Sequence, residues 1–192
     1  MIKKLSFSLL VVLIGLSVQA QNPATPVKYP NLDASSLDAL YYPLNAVKVK
    51  KDDNSLPIIK VLYSRPQKKG REVFGVLEQF DKVWRLGANE NTEIYFAKSV
   101  TIGEKKIKAG TYSLFAIPQK DKWTIIVNKQ TNRWGAFTYD ETKDVVRVSV
   151  PVTKLEKVVE AFSMTFTDLA DGANLMMAWD TTQVALPIYF KK

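Results

Sequence analysis

Residues able to bind a ligand are concentrated in the stretch 64–92, which reads SRPQKKGREVFGVLEQFDKVWRLGANENT. It carries three of the chain's five arginines, whose guanidinium groups bind anions or hydroxyl groups. A tryptophan in it supplies a flat apolar face, and amide and carboxylate side chains follow. A second tryptophan, farther along, stands between an arginine and a glycine. The predicted ligand-binding residues are Arg65, Arg71, Trp84, Arg85, Asn89, Glu90 and Trp134.

The same stretch also has a structural interpretation. In it, the three arginines pair with Glu72, Glu78 or Asp81 and brace a long crossover, while Trp84 lies in the core. Such bracing is expected because the polar groups of a long loop in a compact domain need partners. The sequence leaves both interpretations open.

Two residue types are absent from the whole chain, histidine and cysteine. Their absence excludes Ser-His-Asp and Cys-His catalysis, disulfides, and metal sites built from imidazole or thiolate. Glycine-rich dinucleotide and phosphate-binding motifs are missing too. We therefore predict no catalytic residue, no metal site and no cofactor.

Carboxylates are the side chains of this sequence that could still act as catalytic groups, since a glycosidase needs only two of them at a suitable separation. This keeps an envelope hydrolase open as an alternative function, with Glu90 as the first candidate acid. The carboxylates that could form such a pair are Glu72, Glu78, Glu90, Glu93, Asp140 and Glu141. Asp140, Glu141 and Asp144 do not match a calcium loop and are interpreted as turn residues.

The N-terminus has the three parts of a secretory signal peptide. Lys3 and Lys4 precede an apolar run at 5–18, and a small-residue cleavage pattern ends at Ala20. The apolar run is too short to span a bilayer, so we expect cleavage after Ala20 and no membrane span in the mature chain. The predicted location is periplasmic or secreted.

The charge distribution bears on the choice of partner. The chain carries 27 basic and 19 acidic residues, a net charge of +8, and most of the cations are lysines spread along the sequence. Nucleic-acid surfaces favour clustered arginine with interleaved aromatics, so nucleic acid is not an expected partner. The expected partner is a small molecule, a glycan or an envelope protein. The sequence carries no signal of oligomeric state.

The elements that must position these residues are predicted from hydrophobic periodicity. Residues 21–57 are rich in proline and predict an extended N-terminal arm, with a helical turn near 37–41 and a polar turn at 50–55. Residues 58–192 form the regular domain. Alternating apolar residues predict strands at 58–64, 92–98, 110–117, 122–128, 144–150, 161–167, 174–180 and 183–188.

The fold class follows from this series of short strands with one apolar face. Val146, Val148 and Val150 alternate with polar residues, as do Phe162 and Met164. Hairpin turns are predicted at 102–106, 118–121 and 171–172. We predict an all-β antiparallel sandwich of eight or nine strands with a short N-terminal arm, and a jelly-roll or barrel-like closure as the alternative.

Short motifs that are specific in their residue order stand at 41–43, 63–66, 69–71, 74–75, 82–90, 109–114, 117–118, 123–126, 134–137 and 144–147. Together they resemble the bacterial Domain of Unknown Function 2911 family over about residues 32–188. The resemblance implies export and a single family domain, and it transfers no reaction.

Taken together, the sequence predicts an uncharacterised exported protein that acts as a non-catalytic binding or interaction module in the cell envelope. Its ligand is expected to be anionic or sugar-like. The alternatives are the carboxylate-based hydrolase and a purely structural partner of another envelope protein.

Overall fold

A computed structural model of the chain describes residues 25–44, 46 and 56–190. The predicted signal peptide and the polar turn at 50–55 lie outside these residues. The chain divides into two units, Met1–Asn31 and Leu32–Lys192. In the first unit, residues 25–31 are exposed and form neither strand nor helix. Among the described residues, no helix has the length and apolar character to cross a membrane.

The second unit consists, in its described part, of ten strands and one short 3-10 helix. Glu141–Lys143 forms that helix, directly before β8. The strands are β1 (Leu37–Tyr42), β2 (Ile59–Ser64), β3 (Thr92–Phe96), β4 (Val100–Ile102), β5 (Lys105–Ile107), β6 (Gly110–Pro118), β7 (Lys122–Asn128), β8 (Asp144–Pro151), β9 (Thr153–Leu169) and β10 (Gly172–Tyr189).

The strands form two antiparallel sheets that are not closed into a barrel. The larger sheet has the order β1-β2-β3-β6-β7-β8, and the smaller has the order β5-β4-β10-β9. The predicted all-β sandwich is therefore confirmed, and the barrel-like closure is not formed. The core lies between the sheets because alternate residues of each strand face inward, as Ile59 and Val61 do in β2.

The N-terminal arm contributes one strand to the larger sheet. β1 pairs with β2 along its whole length, from Leu37 opposite Ser64 to Tyr42 opposite Ile59. The helical turn predicted near 37–41 is therefore wrong. A helix of one turn is unstable by itself. Pairing as a strand instead gives hydrogen-bond partners to the backbone groups on one edge of β2, and it packs Leu40 against the core.

The last two strands are longer than the sequence predicts. β10 passes through Asp180, where the register with β9 shifts and the backbone has a positive φ of 55°. The polar residues at 180–182 interrupt the apolar alternation, which led us to predict two strands there. The register shift at Asp180 is a β-bulge. It lets β10 continue as one strand and changes which of the following residues face the core.

The stretch between β2 and β3, residues 65–91, runs across both sheets and is called the strap below. Isolated β-bridges join the strap to β9, to β6 and to the loop formed by residues 129–140. The Lys68 N–H donates to the Glu160 carbonyl at 2.7 Å, and the Trp84 N–H donates to the Ala116 carbonyl at 2.7 Å. The isolated bridges to other elements are Gln67–Ala161, Trp84–Ala116 and Glu90–Trp134, and a fourth, Phe74–Glu78, lies within the strap. These bonds give polar backbone groups of the strap their partners, as the structural interpretation expects.

Gly172 begins β10 at a place where the two ends of this curved strand come together. The Phe190 N–H donates to the Asp171 carbonyl at 2.8 Å. A Cβ on Gly172 would lie 2.0 Å from the Ile188 carbonyl oxygen. Because this neighbour is backbone, which cannot rotate away, we expect Gly172→Ala to lower the free energy of unfolding by about 2 kcal/mol.

The matched control for this substitution is Gly70→Ala, measured by the same urea unfolding. A Cβ at Gly70 would have no heavy atom within 4 Å, although its φ of +71° is strained for alanine. We expect a cost of about 1 kcal/mol there, from the backbone alone. If Gly172→Ala were no more destabilising than Gly70→Ala, the close approach of the two ends of β10 would be contradicted.

Candidate functional site

An open cleft of about 370 Å³ lies on the outward face of the larger sheet, and we call it the Trp134 cleft. Its volume falls in the range typical of small-molecule sites. Its lining combines two carboxylates, two amides, one guanidinium group and three apolar side chains. The lining residues are Leu37, Leu62, Glu90, Asn91, Glu93, Asn132, Arg133 and Trp134.

The floor of the Trp134 cleft is set by strand alternation. Leu62 in β2 lies directly opposite Glu93 in β3. Their neighbours Val61 and Ile94 are fully buried between the sheets. Since successive side chains of a strand point to opposite faces, Leu62 and Glu93 face outward into the cleft.

The wall of the cleft is the loop 129–140, which is tied to the strap by backbone hydrogen bonds. The Asn91 N–H donates to the Arg133 carbonyl at 3.1 Å, and the Gly135 N–H donates to the Asn89 carbonyl at 2.9 Å. The Asn91 side chain accepts from the Arg133 N–H at 2.8 Å. These bonds fix the loop that carries Trp134.

A buried amide supports this wall from below. The Asn91 side chain donates to the Ser113 hydroxyl at 2.6 Å, and that hydroxyl donates to the Gln130 carbonyl. Glu93 accepts from the Asn132 N–H at 2.6 Å. The cleft therefore has polar groups held in place before any ligand arrives, which lowers the entropic cost of binding.

Two aromatic rings of the 129–140 loop are presented to solvent. Trp134 is 62% exposed and Phe137 is 81% exposed. The Arg85 guanidinium carbon lies 5.8 Å from the centre of the Phe137 ring. Gly135 stands between the two rings with a φ of +69°, and a Cβ there would come within 2.8 Å of the Phe137 ring. Glycine at this position therefore lets the loop and both aromatics adopt this arrangement.

Trp84, predicted to stack on a ligand, is instead a core residue. Only 3% of its surface is exposed. Its ring stacks on that of Trp179 at an interplanar angle of 21°, with 6.0 Å between centroids, and its indole N–H donates to the Gly87 carbonyl at 3.1 Å. No face of the ring is open to a ligand, so the predicted stacking role is wrong and the structural interpretation holds for Trp84.

Arg65 and Arg71 lie outside the lining of the Trp134 cleft and act as braces. Arg65 forms an ion pair with Asp38 at 3.0 Å and donates to the Phe162 carbonyl at 3.2 Å, which joins β1, β2 and β9. Arg71 donates to the carbonyls of Lys68 and Gln67 in its own loop. The structural interpretation had assigned acids of the strap as their hydrogen-bond partners, whereas these partners are Asp38 and backbone carbonyls.

The remaining predicted residues lie at or beside the cleft. Glu90 and Trp134 line it and are joined by an antiparallel bridge. Arg85 and Asn89 lie behind the wall, where Arg85 donates to the Asn89 carbonyl at 3.2 Å. The structure thus brings Arg85, Asn89, Glu90 and Trp134 together and places Arg65, Arg71 and Trp84 in supporting roles.

One carboxyl of the strap is held in an unusual environment. Burial raises the pKa of Glu78 to about 7, and the positive charges of Arg85 and Arg71 only partly offset this rise. The backbone of Glu78 is bonded on both sides, to Val73 and to Gly75. Glu78 is absent from the lining of the Trp134 cleft, so its proton affinity bears on stability.

The acids at the start of β8 and in the turn before it are used in local hydrogen bonds. Asp140 accepts from the Thr142 N–H at 2.9 Å, and Asp144 accepts from the Tyr139 hydroxyl and from Arg147 at 2.7 Å each. Burial and the neighbouring Asp144 raise the pKa of Tyr139. In the described part of the chain, no three acidic side chains are grouped so that they could hold a metal ion.

Comparison with known proteins identifies the family of the chain. Residues 45–188 match the model of a family described as Protein of unknown function (DUF2911). The chain belongs to the DUF2911 family. The match covers the strap, strands β2 to β9, all of β10 but its last residue, and every lining residue of the Trp134 cleft except Leu37. No curated protein and no solved structure matches the chain.

Several residues that line the cleft in this DUF2911 protein were not predicted as binding residues. Glu93 was considered only as a candidate carboxylate. Its position opposite Leu62, on the outward face of two strands, follows from alternation and could have been found that way. Asn132 and Arg133 have no such signal, because their place depends on where the 129–140 loop folds back onto the sheet.

Proposed function

We propose that this DUF2911 protein is an exported binding protein whose Trp134 cleft holds a sugar-like ligand. The observation that carries the proposal is the exposed Trp134 ring beside a cleft lined by carboxylate and amide groups. The apolar face of a sugar ring packs on an aromatic side chain, and its hydroxyl groups donate to carboxylates. The secretory signal predicted from the sequence supports a role outside the cytoplasm.

The lining of the cleft favours a neutral sugar over an anion. Glu90 and Glu93 both line the cleft, and Arg133 is its one lining cation among the described residues. Two carboxylates repel an anionic ligand unless more than one cation offsets them. Arg65 and Arg71, which the sequence offered for binding anions, are engaged elsewhere. We therefore restrict the ligand class from anionic or sugar-like to sugar-like.

Substitution of the exposed tryptophan tests the proposal. We expect the wild-type protein to bind at least one glycan on an array of neutral glycans. Trp134→Ala should weaken that binding about five- to tenfold, since an aromatic contact contributes about 1–1.5 kcal/mol. Isothermal titration with the glycan selected on the array gives the affinity. Trp134→Phe keeps an aromatic face and should retain most of the binding.

The matched control removes an exposed apolar side chain elsewhere. Val158 is exposed on β9 in the smaller sheet, so Val158→Ala should leave glycan affinity unchanged. Equal affinities of the wild type and Trp134→Ala would contradict the proposal, as would the absence of any glycan bound by the wild type.

The hydrolase alternative has one observation in its favour, because Glu90 and Glu93 line the same cleft. Carboxylate pairs of this kind cleave glycosidic bonds when their separation suits the mechanism. Mass spectrometry of the bound glycan after incubation separates the two functions. A binding protein leaves the glycan intact, whereas a hydrolase releases shorter products and loses that activity on Glu90→Gln.

A further inference from the structure

A second cleft, of about 310 Å³, adjoins the Trp134 cleft on the outward face of the larger sheet. We call it the Tyr95 cleft. It is lined by Lys60, Leu62, Glu93, Tyr95 and Thr111. Leu62 and Glu93 line both clefts. The two clefts therefore meet along a shared floor.

The floor of the Tyr95 cleft continues the outward-facing rows of three neighbouring strands. Lys60 lies opposite Tyr95 across β2 and β3, and Tyr95 lies opposite Thr111 across β3 and β6. Tyr95 follows Glu93 by two residues, so both point to the same face. The row of side chains runs along β3, from the strap end of the sheet toward the β3–β4 turn.

We propose that the two clefts form one groove and that its ligand is a linear chain of sugar units. This inference rests on the proposed function and deepens it. Glu90, the bridge partner of Trp134, precedes Tyr95 by five residues, which in an extended chain cover about 16 Å. That length exceeds a single sugar ring and accommodates several linked units.

The chemistry of the groove also repeats along its length. Each cleft has an aromatic ring open to solvent, since Tyr95 is 43% exposed and Trp134 more so. Each has polar groups beside its ring, namely Lys60 and Thr111 in one and Asn132 and Arg133 in the other. A ligand made of repeating units with an apolar face and a hydroxyl rim is complementary to this repetition.

Glu93 lies at the junction of the two clefts and is oriented by the Asn132 N–H at 2.6 Å. A carboxylate accepts several hydrogen bonds, and that N–H uses one of these positions. Its remaining lone pairs are available to hydroxyl groups of the units on either side. A single sugar in the Trp134 cleft would leave the contacts of Lys60 and Tyr95 unused.

Chain-length dependence tests the proposal by isothermal titration. The probes are linear oligomers of glucose, N-acetylglucosamine and mannose, each from one to six units. In the series that binds, we expect affinity to rise at least tenfold between one and four units. Tyr95→Ala should weaken the longer oligomers about three- to tenfold and leave the shortest bound oligomer unchanged. Trp134→Ala should weaken every length.

Tyr95→Phe and Val158→Ala are the controls, and thermal unfolding of each variant establishes that it is folded. Tyr95→Phe keeps the ring and should retain the affinity for long oligomers. Binding that is independent of length, or unchanged by Tyr95→Ala, would overturn the extended groove while leaving the sugar-binding function in place. Failure of all three series to bind would also overturn the extended groove, whereas the sugar-binding function is decided separately by the glycan array.

Discussion

Replacing Trp84 by alanine is expected to lower the free energy of unfolding by about 3–5 kcal/mol, the range for removing a buried aromatic ring. The ring packs between the sheets, with centroids 5.7 Å from Trp123 and 5.0 Å from Phe162. Alanine would leave a cavity among these rings, which are themselves held by the sheets and cannot collapse to fill it. The Gly87 carbonyl would also lose the indole N–H that it accepts.

Urea unfolding followed by far-UV circular dichroism gives the measurement, because this signal arises mainly from the backbone amides of the strands. Trp134→Ala is the matched control, since it makes the same substitution at a residue 62% exposed. We expect a change within about 0.5 kcal/mol there. A loss below about 1 kcal/mol for Trp84→Ala would contradict the core position of that ring.

The second large effect is a pH dependence of stability that originates at Glu78. Its pKa is raised from 4.5 to about 7 in the folded chain by burial. Between these two pH values the folded state binds a proton that the unfolded state has released, so this group makes stability fall as the pH rises. At 1.36 kcal/mol per pKa unit, the contribution lost by pH 8 is about 3 kcal/mol.

Glu78→Gln should remove this contribution because the amide is neutral at every pH. We expect the variant to be more stable than the wild type at pH 8, and the difference to shrink as the pH falls from 7 to 4. Urea unfolding of the wild type and the variant at a series of pH values from 4 to 8 gives both stability curves. The difference between the two free energies of unfolding at each pH removes the contributions of the other carboxylates, because both proteins share them. Many of those carboxylates make stability rise with pH.

Glu72→Gln serves as the control because it removes an exposed carboxylate from the same strap. It shows whether removing an exposed carboxylate near Arg71 has the same effect as removing the half-buried Glu78 carboxylate. A pH-independent difference between Glu78→Gln and the wild type would contradict the burial of the Glu78 carboxyl. In that case Arg71 and Arg85 would hold the Glu78 carboxyl in its ionised form.

The two substitutions also bear on the role of the strap. A large loss with Trp84→Ala and a gain at high pH with Glu78→Gln would both place this segment in the folded core. Its arginines would then serve the architecture, and the ligand would be held by residues at its C-terminal end, where Glu90 meets Trp134.

The alternation of apolar residues is enough to predict the fold class and most strands of the larger sheet. β7 begins and ends where the apolar alternation predicts, and β2, β6 and β8 differ from prediction by one residue at one end. Alternation is a local signal, because successive side chains of a strand point to opposite faces. The apolar residues of a strand therefore indicate which of its faces is buried. The absence of histidine and cysteine likewise removed whole classes of chemistry without any reference to structure.

Which polar and aromatic residues meet depends on how the sheets and loops pack together. Trp84 and Trp134 are both flanked by arginine in the sequence, yet one is buried between the sheets and the other is exposed beside a cleft. β1 was missed for the same reason, because its strand geometry depends on its partner β2. Contacts between distant parts of the chain depend on how sheets and loops pack, and residue types and local spacing do not record that packing.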